Sequence, residues 1–162
     1  MSPRERLDAQ KSALRSNMLH ALRAMTAVDR AACSEAICRR VIESEQWRKA
    51  ERVLLFSPMR TEPDITPLLT TQSDLKSVAT IPSTLRHEDE LDLPFVPDFV
   101  LVPGLAFSRN GYRLGRGGGF YDRLLAGRAR DAVKVGVGFE LQLTDDIPRA
   151  EHDVILDRVI TD

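Results

Sequence analysis

Pro103-Gly-Leu-Ala-Phe-Ser-Arg-Asn-Gly-Tyr-Arg-Leu-Gly-Arg-Gly-Gly-Gly-Phe-Tyr-Asp122 joins an apolar run, a glycine-dense turn carrying two arginines, and a helix that opens with an acid. Glycines let a backbone approach a ligand closely and adopt positive φ without penalty. Successive N–H groups in such a loop form a concavity for anions, and a following helix adds its positive end. Arg113 and Arg116 bring fixed positive charge, and Asp122 offers the hard oxygen that Mg²⁺ prefers. A tight strand-to-helix turn alone would account for one or two glycines, but not for the run Gly115, Gly117, Gly118 and Gly119 flanked by arginines. The stretch reads as a seat for polyphosphate and its metal. It is not a P-loop, since no Gly-Lys-Ser/Thr closes it, and the polar loop before it does not suit a dinucleotide fingerprint.

Outward from this loop, short apolar runs alternate with helical patterns. Ser2-Pro3-Arg4-Glu5 predicts a capped helix start, and Leu7, Leu14, Met18 and Leu22 carry the helix to about Met25. Thr26 predicts the cap of a second helix with Ala32, Ala36, Ile37, Val41 and Ile42 on one side, and Gln46 to Ala50 a short third, in which Trp47 is a packing residue. Strands are expected over Arg52–Ser57, Ser77–Ile81, Asp98–Val102, Val133–Phe139 and Val154–Ile160, with helices after Asp64 and from Tyr121 to Gly127. Arg86 to Pro97, charged and proline-punctuated, is expected as an exposed irregular loop. The alternation predicts an α/β fold: a single domain over 1–162, with a mostly parallel sheet flanked by helices.

Composition narrows the function classes. Apolar residues make up 43% and charged residues 29% of 162 residues, enough for an ordinary core. A net charge of −1 lacks the basic footprint of a nucleic-acid binder. No apolar run approaches the ~20 residues of a membrane helix, and Met-Ser-Pro-Arg-Glu-Arg has no signal-peptide core, so a cytoplasmic protein is expected. Cys33 and Cys38 match neither a redox pair nor a zinc knuckle and read as reduced thiols buried on a helix.

Other candidates are ambiguous in isolation. Lys11 and Arg15 lie one helical turn apart on one face, which alone describes a solvated basic face. Glu62 follows the first strand, where parallel sheets place ligand groups, or is a surface-loop glutamate. Asp153 is placed to meet Asp122 around a metal; the neighbouring His152 makes no triad, because no nucleophile elbow is present.

These residues resemble the 5-formyltetrahydrofolate cyclo-ligases, also called methenyltetrahydrofolate synthetases. The resemblance runs through Val102 to Asp122, through Gly136-Val-Gly-Phe139, Gln142, Ile147-Pro148, His152-Asp153 and Asp157 to Thr161, and through Lys11-Ser-Ala-Leu-Arg15 and Glu62-Pro-Asp-Ile-Thr66. Pro63 stands where the family usually has a small aliphatic residue, and Phe120 where many members have tyrosine. The family also usually carries a longer stretch between Pro82 and Asp98, so a rearranged folate-side wall is expected over Ser83–Pro97.

The resemblance implies a fold related to the ribose-isomerase and CoA-transferase group. ATP and Mg²⁺ are the implied cofactors, and a small-molecule folate the implied partner of a monomer. Lys11, Arg15, Arg113, Leu114, Gly115, Arg116, Gly117, Gly118, Gly119, Phe120 and Tyr121 would contact ATP, with Arg116 and Tyr121 catalytic. Phe56, Glu62 and Arg116 to Phe120 would face the substrate, and Asp122 and Asp153 would ligate the metal. Two other readings accommodate the same residues: a diverged paralogue using ATP on another N-formyl or carboxyl substrate, and a non-catalytic nucleotide-binding module.

Overall fold

The computed structural model describes residues 1–71 and 75–162. Ser2 opens helix α1 (Pro3–Ala24): its side chain accepts from the Glu5 amide at 3.1 Å while the Glu5 carboxylate accepts from the Ser2 amide at 2.6 Å. This capping box satisfies two amide donors that a helix start otherwise leaves unpaired. The Thr26 side chain caps α2 (Ala27–Glu43) by accepting from the Asp29 amide, and that of Ser44 caps α3 (Glu45–Lys49) by accepting from the Trp47 amide. The buried face of α2 is Ser34, Ile37, Cys38 and Val41, so Ala32, expected inside, is exposed. Cys33 is half-buried, not buried; both thiols are free.

The chain then alternates: β1 (Arg52–Phe56), α4 (Thr66–Thr71), β2 (Ser77–Ile81), β3 (Phe99–Val102), β4 (Ala106–Phe107), β5 (Arg113–Leu114), α5 (Phe120–Ala126), β6 (Val133–Val137) and β7 (Arg158–Ile160). Strands β2, β1, β3, β6 and β7 form, in that order, one sheet in which every pairing is parallel. Val53 to Leu55 and Phe99 to Val102 are wholly buried. Consecutive strand residues point to opposite faces, so this burial means that both faces of the sheet are covered. Trp47 packs edge-on against Phe99, with ring centroids 5.5 Å apart.

Three sequence expectations change. The residues before the glycine loop are not polar loop: Arg113–Leu114 pair antiparallel with Ala106–Phe107, closed by a turn in which the Gly111 amide donates to the Ser108 carbonyl at 3.1 Å. The final strand begins at Arg158, not Val154. Leu156 instead donates its amide to the Gly111 carbonyl, and the Asp157 carboxylate accepts the Lys134 amide at 2.7 Å, so this segment braces β6 before pairing with it. Finally, Arg86 to Pro97 is neither wholly exposed nor wholly irregular, since it holds a 3₁₀ turn at Glu88–Glu90 and buries Leu91.

The strand order also fixes where a ligand would sit. From β1 the chain runs outward to β2, then returns past β1 to β3 and onward to β6. Connections therefore diverge between β1 and β3, and ligands of open parallel sheets bind beyond the strand carboxyl ends at such a reversal.

Candidate functional site

Beyond the carboxyl ends of β1, β2 and β3 lies a cavity of about 630 Å³, floored by Phe56, Ser57, Ile81, Pro82, Pro103 and Gly104. Every residue singled out in the sequence lines it: Lys11 and Arg15 from α1, Phe56 and Glu62 from the β1 side, Arg113 to Asp122, and Asp153. The basic face of α1 is therefore not simply solvated. Arg15 Nε donates to the Gly115 carbonyl at 2.9 Å, and Lys11 Nζ lies 3.3 Å from Asp153 Oδ2.

Arg113 is the most constrained charge. Its side chain is 8% exposed, its Nε donates to the Pro103 carbonyl at 2.6 Å, and its guanidinium carbon lies 5.0 Å from the Tyr121 ring centroid. Burial draws its pKa down, against the opposing pull of Asp122, Tyr121, Glu62 and Asp153. Arg116, by contrast, is exposed and donates to Thr61 Oγ1 at 2.9 Å. The glycines serve this arrangement. A Cβ on Gly115 would sit 2.9 Å from Arg113 Nη2, and Gly119 has φ +73 with a would-be Cβ 2.7 Å from Arg123 Nη1.

Glu62 faces this positive wall from the other side. It is buried, and its Oε1 accepts the Met59 amide at 2.7 Å. Burial pushes its pKa up, while the Met59 amide and then Arg116 and Arg113 pull it down. Burial, with Glu62 adding to it and Arg113 opposing it, raises the Tyr121 pKa well above its ordinary value, so its phenol stays protonated.

Asp122 and Asp153 share the cavity. Asp122 Oδ1 is 4.0 Å from Arg113 Nη1. Asp153 uses Oδ2 for Lys11 and for the Ala150 amide at 2.7 Å, and its Oδ1 lies 3.9 Å from His152 Nε2. Among the described residues no group of three or more His, Cys, Asp or Glu is placed to hold a metal unaided. Mg²⁺ is commonly held by one or two carboxylates together with substrate phosphates, and the donor chemistry of two carboxylates on this cationic cavity fits that mode.

Ser83 to Arg86 also line the cavity, so the short Ser83–Pro97 segment supplies a wall there, although none of its residues stood out individually in the sequence. The segment that follows is fixed from α5 and just beyond it. Arg123 Nε donates to Glu88 Oε2 at 2.8 Å, and Arg128 Nη1 donates to the Glu88 and Leu91 carbonyls, each at 2.9 Å. Met59, Asp8, Ser57 and His152 complete the lining.

A model of the 5-formyltetrahydrofolate cyclo-ligase family matches residues 7–97 and 80–162. The chain belongs to this family. It is 48% identical over 64 residues to the 5-formyltetrahydrofolate cyclo-ligase of Mycolicibacterium smegmatis, an alignment covering 40% of this chain and 33% of that one. It is 23% identical over 191 residues to the mouse 5-formyltetrahydrofolate cyclo-ligase, covering 95% of this chain and 94% of the mouse protein. The fold is similar to the NMR structure of Aquifex aeolicus 5,10-methenyltetrahydrofolate synthetase, with 28% identity, a TM-score of 0.77, and coverage of 93% and 88% of the two chains. Among cyclo-ligase family members this chain is thus matched from end to end at low identity and more strongly over shorter stretches. The described residues include no helix long and apolar enough to cross a membrane.

Proposed function

We propose that this family member uses ATP and Mg²⁺ to cyclise 5-formyltetrahydrofolate to 5,10-methenyltetrahydrofolate, with release of ADP and phosphate. The observation that carries the proposal is the single cavity in which Lys11, Arg15, Arg113, Arg116 and a glycine loop face two carboxylates and a buried glutamate. ATP, when bound, would supply a phosphoryl group to the formyl oxygen on N5, making that oxygen leave as phosphate when N10 attacks the otherwise poorly electrophilic formyl carbon and closes the ring. Phosphoryl transfer asks a protein for positioning and charge stabilisation more than for a covalent nucleophile.

The residues divide that work. Lys11, Arg15 and Arg113 neutralise the polyphosphate, and the backbone of Leu114 to Phe120 shapes its seat. Arg113, tied to Pro103, compensates charge on the bound polyphosphate, whereas Arg116, exposed and anchored to Thr61, compensates charge on the transferring phosphoryl group. Tyr121, held protonated by burial, donates a hydrogen bond and does not act as a base. Glu62 and Phe56 hold the pterin: a carboxylate accepts from paired N–H groups, and the phenyl ring covers an apolar edge. Asp122 and Asp153 would hold Mg²⁺. The same reading treats the protein as a cytoplasmic monomer whose partner is the small-molecule folate.

Purified protein mixed with ATP, Mg²⁺ and 5-formyltetrahydrofolate is expected to produce the absorbance of the methenyl product. ATP hydrolysis that depends on some other formyl or carboxyl compound would replace this substrate assignment. Nucleotide binding without any turnover would replace the enzymatic one.

A further inference from the structure

The cavity has two facing walls that the main chain does not connect directly: the glycine loop on one side and Ser83 to Arg86 on the other. One side chain touches both. Arg123 Nη1 donates to the Gly118 carbonyl at 2.8 Å, Nε donates to Glu88 Oε2 at 2.8 Å, and Nη2 lies 3.5 Å from the Arg86 carbonyl. Gly119 leaves the space for this guanidinium, since a Cβ there would stand 2.7 Å from Nη1. Arg128 secures Glu88 and Leu91 separately, so the far wall does not need Arg123 merely to fold.

The bond to Gly118 has a directional consequence. The C=O and N–H of a trans peptide point in opposite directions. Holding the Gly118 carbonyl on the Arg123 side turns the Gly119 N–H to the opposite side of that peptide. The space beside Gly118 is open, with no heavy atom other than its chain neighbours within 4 Å of a would-be Cβ, and glycine peptides rotate at low cost. A reversed peptide would present a carbonyl where an anion needs a donor.

We propose that Arg123 is a positioning residue that fixes the Gly118–Gly119 peptide as a phosphate donor and ties that orientation to the Ser83–Arg86 wall, so that nucleotide and second substrate tighten each other's binding. This rests on the functional reading above. A link of this kind is a coupling free energy and must act equally in both directions. The two glycines lose freedom once, whichever ligand arrives first.

The test is calorimetric titration with the non-hydrolysable β,γ-imido analogue of ATP and Mg²⁺, with and without 5-formyltetrahydrofolate. In the wild-type protein each ligand is expected to tighten the other. Arg123→Ala is expected to weaken analogue binding about tenfold to a hundredfold, the range for losing hydrogen bonds to charged groups, and to abolish mutual tightening, with ethylguanidinium restoring both. Arg128→Ala is expected to lower the melting temperature while keeping the coupling. Wild-type affinity and coupling in Arg123→Ala, or a lowered melting temperature as its sole effect, overturns the proposal. If Arg123→Ala does not fold, Arg123→Lys decides. It keeps the charge beside Glu88 but lacks the fork that reaches Gly118, and retained coupling there counts against the proposal. A wild-type protein that binds no nucleotide removes the functional reading and the coupling with it, whereas normal wild-type binding with unaltered Arg123→Ala removes the coupling alone.

Discussion

The wall that follows β1 and the wall that precedes α5 hold their functional groups by different means. On the first, Glu62 is buried and fixed by a backbone amide three residues away, so the local turn itself sets the carboxylate before any ligand arrives. On the second, Gly117 and Gly119 have positive φ and Gly118 stands in open space, and order comes from side chains on helices outside the loop that reach loop carbonyls: Arg15 of α1 to Gly115 and Arg123 of α5 to Gly118. The first wall carries desolvation as a standing cost. The second carries conformational freedom. Substitutions in the two walls should therefore fail differently, the first in its pH dependence and the second in how turnover, affinity and stability separate.

The largest expected effect is on the open wall. Arg116→Ala is expected to lower kcat by about 10²–10³, the loss of roughly 2.7–4 kcal/mol that removal of one preorganised transition-state contact brings. The KM for ATP should change much less. Steady-state kinetics with varied ATP check this, and unchanged kcat with only a raised KM would assign Arg116 to ground-state binding. Next in size is a contrast between neighbouring glycines. Gly119→Ala forces a side chain onto φ +73 and into the Arg123 guanidinium, and is expected to cost roughly 1–2 kcal/mol in urea unfolding. Gly118→Ala meets no atom within 4 Å and is expected to leave stability within about 0.5 kcal/mol. Equal stability losses at the two positions would show that the loop is held by something other than Arg123.

How much of this was legible in the sequence follows from how each part is held. The first two helix starts were readable because Ser2 and Thr26 cap with their own side chains, whereas the third helix, expected from Gln46, starts at Glu45 behind a Ser44 cap. The sheet was readable because strands covered on both faces leave unbroken apolar runs such as Val53 to Phe56 and Phe99 to Val102. The β4–β5 pair was not, since strands of two residues are too short to show a period. Val154 to Leu156 looked like strand because those residues are apolar. The Leu156 side chain is spent against Gly136, where a Cβ would lie 2.7 Å from its Cδ1. For the site, the glycine loop announced an anion seat, yet Lys11 and Arg15 gained their roles only from the family resemblance. Ser83 to Arg86 were marked only as part of a shortened segment, with no signal from any single residue. Their wall is fixed largely by arginines bonding to main-chain carbonyls, and a carbonyl is the same whatever residue bears it.

The smallest expected effect tests the buried wall and sets the sign of its pH dependence. Burial raises the Glu62 pKa above its ordinary value of 4.5, so between that value and the raised one the folded protein holds a proton that the unfolded chain has released. Stability then falls as pH rises through that window, the reverse of a salt-bridged acid. Below the window both states are protonated and the penalty is absent; above it the charged form carries the full desolvation cost. Glu62→Gln keeps an oxygen for the Met59 amide and removes the titration. Its unfolding free energy in urea is expected to match wild type within about 1 kcal/mol at low pH and to decline less as pH rises from 4.5. A wild-type midpoint that instead rises across this window would mean that Arg113 and Arg116 outweigh burial, and that the two walls form one ion-paired unit.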